Sequence, residues 1–166
     1  LPTIRSRCQT LHFNALRRDD LRAAVTAAVS GSEAMDEDLA TLAEGSVRRA
    51  LTLTAFGGLE VVRKADQLIE SRIFGAEEAS KLGDAMSGRD ADTQYQLLTD
   101  HLLSRIGSAA LRHAGSGETV IARQLSEFNR DTAAMLADAQ RFNLDRKQTI
   151  FGLIAALQAK FSAGLL

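Results

Sequence analysis

Apolar positions recur along this chain at steps of three and four, the period of helices that bury one face. The clearest stripe is Tyr95, Leu98, Leu102, Ile106, Ala109 and His113, which predicts one long helix. After Gly115-Ser116-Gly117 the pattern resumes as Ile121, Leu125, Phe128, Thr132, Met135, Ala139 and Phe142, a second helix of similar length. A third stripe, Ile150, Ile154, Leu157 and Phe161, follows Asn143-Leu144, with Asp145 and Gln148 as a capping pair at its start. Helices of about 22 residues reach roughly 33 Å, and the short breaks between them predict antiparallel neighbours in a bundle.

The N-terminal half reads as shorter helices. Asp19 and Asp20 suit the positive end of a helix running to about Val29, and Ser30-Gly31-Ser32 breaks it. A short helix is expected from Asp36 to Ala43. Gly45-Ser46 then stops one helix and caps the next at Val47. Gly57-Gly58 interrupts that helix, which resumes through Ile69, and the linker at 72–76 is the expected domain boundary. The fold class is all-α, a small helical unit followed by a larger bundle.

Composition narrows the partners. The chain carries 20 Lys+Arg and 21 Asp+Glu, so bulk positive charge does not hold it to nucleic acid or an acidic membrane. Locally, residues 1–30 hold five Arg and two Asp (net +3), 31–44 five acids and no base (net −5), and 76–100 six acids and two bases (net −4). These read as solvated faces. One cysteine, Cys8, excludes an internal disulfide or a multi-thiolate zinc site. No apolar run approaches the ~20 residues that cross a bilayer. The opening Leu1-Pro2-Thr3 is expected to be the end of a preceding domain, so the composition is taken as a fragment's.

Catalytic groupings are sparse. His101 and His113 lie twelve residues apart on one expected helix, too far for joint metal ligation, and both are expected to be satisfied core or boundary histidines. Cys8 lies near His12 without an evident orienting group, so a small buried thiol is expected. Two segments stand out: Ser6-Arg7-Cys8, and Gly45-Ser46-Val47-Arg48-Arg49-Ala50-Leu51, a capped helix start with two arginines. A guanidinium there opposes the dipole, yet helix amides and an arginine fork together favour a phosphate.

These segments, in this order, resemble the bacterial clamp-loader subunits of the AAA+ class. In that family a Ser-Arg-Cys motif ends the nucleotide-binding core and a Gly-Ser-x-Arg helix belongs to the helical lid. The segment NLDRKQTIFGLIAAL, residues 143–157, resembles the end of the delta-prime branch of DNA polymerase III clamp loaders. The resemblance implies a core remnant over 1–10, a lid over 11–73 and an oligomerising collar over 76–166. It implies Arg7, flanked by Ser6 and Cys8, as a trans-acting arginine finger on ATP held with Mg by a neighbouring motor subunit. Arg48 matches the position called sensor 2, vestigial here, and Arg49 replaces an acid frequent in the motor branch.

The resemblance further implies no cofactor and no enzymatic activity for this fragment, which would act as an accessory part of a DNA-directed DNA polymerase holoenzyme. Its partners would be the gamma/tau and delta subunits through the collar, with the sliding clamp and primer-template DNA reached through the assembled complex in the bacterial cytoplasm. No membrane partner would be expected. The alternatives are a gamma/tau-like motor fragment and an unrelated all-α ligand-binding regulatory domain.

Overall fold

The computed structural model describes residues 7–9, 11–28, 37–88 and 91–166. All regular structure among them is helical: α1 (Arg18–Ala28), α2 (Glu37–Leu42), α3 (Val47–Ala55), α4 (Gly58–Glu70), α5 (Ala76–Ala85), α6 (Asp92–Gly115), α7 (Thr119–Arg141) and α8 (Arg146–Ser162). The all-α reading holds. The expected ends at Val29 and Asp36 lie outside the described residues. No helix among the described residues is long and apolar enough to cross a membrane.

Two compact units, Leu1–Thr52 and Leu53–Leu166, divide the chain. The division falls within α3, not at 72–76 as the glycine punctuation suggested. The reason is in the packing: Leu68 and Ile69 of α4 join the same core as Leu153, Ile154 and Leu157 of α8. A chain break after α4 would cut through that core.

In the first unit, α1 buries Leu21 and Val25, one turn apart on a single face. Arg18 donates to Glu37 and to Thr41 Oγ1, both at 3.2 Å, which fastens α1 to α2. The Leu16 amide donates to the Gly45 carbonyl at 3.0 Å. Gly45 has φ 75°, and a β-carbon there would lie 2.7 Å from Ala15 Cβ and from Leu16 backbone atoms. Only glycine fits both demands.

The second unit is a five-helix bundle, α4 to α8. Leu98, Leu102 and Ile106 of α6 pack with Ile150, Ile154 and Leu157 of α8, all fully buried. Residues 92–103 of α6 and 136–140 of α7 line one shared cleft, so the two helices run antiparallel, as the short turn between them demands. On α5, Gly83 lets the α8 backbone approach, since a β-carbon there would sit 2.9 Å from the Lys147 carbonyl oxygen.

Three successive helices end in the same way. After α6, Glu118 N–H donates to the His113 carbonyl and Gly117 N–H to that of Ala114. After α7, Leu144 bonds Ala139 and Asn143 bonds Gln140; after α8, Leu165 bonds Lys160 and Gly164 bonds Phe161. Each is the paired bond of a Schellman cap, and Gly117, Asn143 and Gly164 all have the positive φ it needs. Two stripe residues depart from expectation. Met135 is 38% and Phe142 62% exposed, while Leu136 fills the core place assigned to Met135.

Candidate functional site

The arginine segments belong to the first unit. Arg7 sits in a turn with Cys8 beside it, and both are exposed; Ser6 lies outside the described residues. The buried thiol expected at Cys8 is therefore corrected: Cys8 lies in an irregular stretch and is exposed. His12 is exposed as well.

The expected cap on α3 is formed. Ser46 Oγ accepts from the Arg49 amide at 3.3 Å, satisfying one of the free N–H groups of the first turn. The two arginines of that turn differ. Arg49 is half-buried and donates to Glu44 at 3.2 Å, whereas Arg48 is exposed. Glu44 itself has a positive φ of 50° just before that helix start. The first unit thus presents exposed guanidinium groups at Arg7 and Arg48, and Arg49 is engaged by an acid of its own chain.

A dense polar cluster lies elsewhere, between α4 and α6. Asp66 takes His101 Nε2 at 2.9 and 3.0 Å and Arg105 Nη1 at 2.6 Å, while Arg105 Nη2 reaches Glu70 at 2.9 Å. Burial pushes the Asp66 carboxyl upward, but the His101 hydrogen bond and the charges of His101 and Arg105 outweigh it and hold it below its ordinary value. The cluster was not anticipated. Its signal was present as two acids spaced four apart, Asp66 and Glu70, and two bases spaced four apart, His101 and Arg105.

His113 is also satisfied. Its Nδ1 lies 2.6 Å from Glu118 Oε2 and its Nε2 lies 3.1 Å from the Leu165 carbonyl. Ser116 Oγ donates to the same Glu118 oxygen at 3.0 Å. Hydrogen bonds from His113 and Ser116 hold the Glu118 carboxyl below its ordinary value. The Ser116 hydroxyl bonds the Glu118 carboxylate and the His113 carbonyl rather than the imidazole, so this serine is not poised to pass its proton to His113.

A cleft of about 410 Å³ opens beside α6, α7 and the start of α8. Arg146 closes one side, paired with Asp92 at 2.7 Å and lying 5.0 Å over the Tyr95 ring. Burial pushes the Tyr95 phenol up, opposed by Arg146. Among the described residues, no group of three or more His, Cys, Asp or Glu side chains is placed to hold a metal ion.

No family model matches the chain, no curated protein matches its sequence, and no solved structure matches it.

Proposed function

We propose that this chain is part of a bacterial clamp-loader subunit of the delta-prime type, in which Arg7 acts in trans on ATP held by an adjacent motor subunit. What carries the reading is the order of features: Ser6-Arg7-Cys8, a Ser46-capped helix bearing Arg48, and then an all-helical bundle. The exposure of Arg7 suits a finger that must reach outside its own chain. An arginine serves there because its fixed charge and planar fork match the charge that develops on transferring phosphoryl oxygens. Arg48 is exposed at a helix start, a position from which a phosphate can be gripped. The helical bundle would supply the assembly surface, and the complex would work in the bacterial cytoplasm on the sliding clamp and primer-template DNA.

The test combines the full-length protein with motor and delta subunits and follows assembly and DNA-stimulated ATP hydrolysis. Arg7→Ala should assemble normally and lower hydrolysis by about tenfold or more. Normal assembly with unchanged hydrolysis overturns the finger, and failure to enter any complex overturns the clamp-loader reading.

A further inference from the structure

The cleft beside Arg146 gathers polar side chains that their own chain leaves unpaired. Tyr95, Gln96, Asp100 and Leu103 of α6 stand on one helical face and form one wall. Opposite them α7 brings Leu136 and Gln140, and the turn after it brings Leu144. The two helices run antiparallel, so Gln96 and Gln140, about equally far from the turn that joins them, come to one level of the cleft. The Tyr95 hydroxyl, the Asp100 carboxylate and the side-chain amides of Gln96 and Gln140 have no hydrogen-bond or ion-pair partner among the described residues. At about 410 Å³, with apolar walls and a few converging polar groups, the cleft has the size and lining that small organic molecules occupy.

The charges of the lining select the sign of the ligand. Asp92 and Arg146 neutralise each other at 2.7 Å, which leaves Asp100 as the unbalanced charge. An anion would face that carboxylate, and could reach Arg146 only by breaking its pair with Asp92. A cation gains a charge-assisted bond to Asp100, and the oxygens of Gln96 and Gln140 can accept its other N–H groups. Burial pushes the Tyr95 phenol up, so it remains a neutral hydroxyl whose oxygen can also accept.

We propose that this cleft binds a small organic cation, with an ammonium head set against Asp100 and an apolar body lying along Leu103 and Leu136.

Leu103 stands one turn beyond Asp100, so head and body engage neighbouring positions on the same face of α6. The whole site lies within the second unit and needs no other subunit. It is therefore independent of the clamp-loader reading.

The probe is phenethylammonium chloride, titrated into the whole chain at neutral pH and followed through backbone amide shifts. Shifts at residues 95–103 and 136–144 should saturate together with a Kd on the order of 1 mM, modest as suits so small a ligand. Phenethyl alcohol, matched in shape but uncharged, should bind about fivefold more weakly. Asp100→Asn should weaken the ammonium by about the same factor and leave the alcohol unchanged. Glu127→Gln removes an exposed acid outside the cleft and should alter neither affinity. An amide spectrum that otherwise matches wild type establishes that each variant is folded. The proposal is overturned if no shift saturates well beyond that concentration, or if the shifts centre outside the cleft. Equal affinity for the alcohol overturns it too, as does an unchanged affinity in Asp100→Asn or an equal loss in Glu127→Gln.

Discussion

The Asp66 carboxylate of α4 faces His101 of α6 through both of its oxygens, at 2.9 and 3.0 Å, while the same carboxylate holds Arg105 one turn along. With Glu70, which Arg105 also reaches at 2.9 Å, these groups share a half-buried polar seam between two helices. Removing the one carboxylate leaves two donors without their acceptor. Asp66→Asn should cost roughly 1–3 kcal/mol at neutral pH, a range that discounts for solvent reaching the seam.

The pH dependence of that loss follows from the direction of the shift. Asp66 is held below its ordinary value in the folded state, so its contribution is fully present above the unfolded carboxyl value of about 3.9. It fades as pH falls from there through the folded value. Urea unfolding should separate wild type from Asp66→Asn at pH 7, and the gap should narrow as pH falls below about 3.9. A gap that widens in acid would contradict the assignment.

Gly83 and Gly152 form a matched pair. Both are helical, but a β-carbon at Gly83 would press on the Lys147 backbone at 2.9 Å, whereas one at Gly152 meets nothing within 4 Å. Alanine gains about 1 kcal/mol over glycine in a helix, and overpacking costs roughly 1–3. Gly83→Ala should therefore lower the melting temperature and Gly152→Ala raise it. Shifts of the same sign would mean that helix propensity alone decides.

The start of α8 depends on Asp145, whose Oδ1 accepts from the Gln148 amide at 2.8 Å. Asp145→Ala should cost about 1 kcal/mol, read as a lower urea midpoint with an unchanged slope. Asp145→Ser should recover most of it.

Ile154 is fully buried where α4, α5 and α6 meet α8. Ile154→Ala should cost about 2–5 kcal/mol. Leu111, 75% exposed, should tolerate alanine within about 0.5 kcal/mol. Equal thermal shifts for the two would place the core elsewhere.

The helical stripes could be read directly where one face alone is buried, as at Leu98, Leu102 and Ile106. The choice between Met135 and Leu136 could not, because both stand at helical spacing from Thr132 and only the neighbouring helices decide between them. The Asp145 and Ser46 caps were legible because they act within four residues. The division at Thr52 was not, since it turns on contacts across the chain such as Gln158 Nε2 to the Ser71 carbonyl, 3.0 Å apart in space and 87 residues apart in sequence. Arg7 and Arg48 were picked out as motifs, and their exposure reflects nothing more local than an irregular stretch and a helix's first turn. The seam at Asp66 needed two helices to be known as neighbours before its charges became a cluster.

The place of α8 dictates a timetable for synthesis. A ribosome that has delivered α4 to α7 holds a chain in which α6 and α7 can already pair, being joined by one tight turn. Ile69, Leu82 and Met86 are by then also outside the tunnel, yet their last apolar neighbours are Leu153, Ile154 and Leu157. Those residues are the last of the bundle to emerge, so until then the nascent bundle carries a bare seam, the interval in which chaperones would find it.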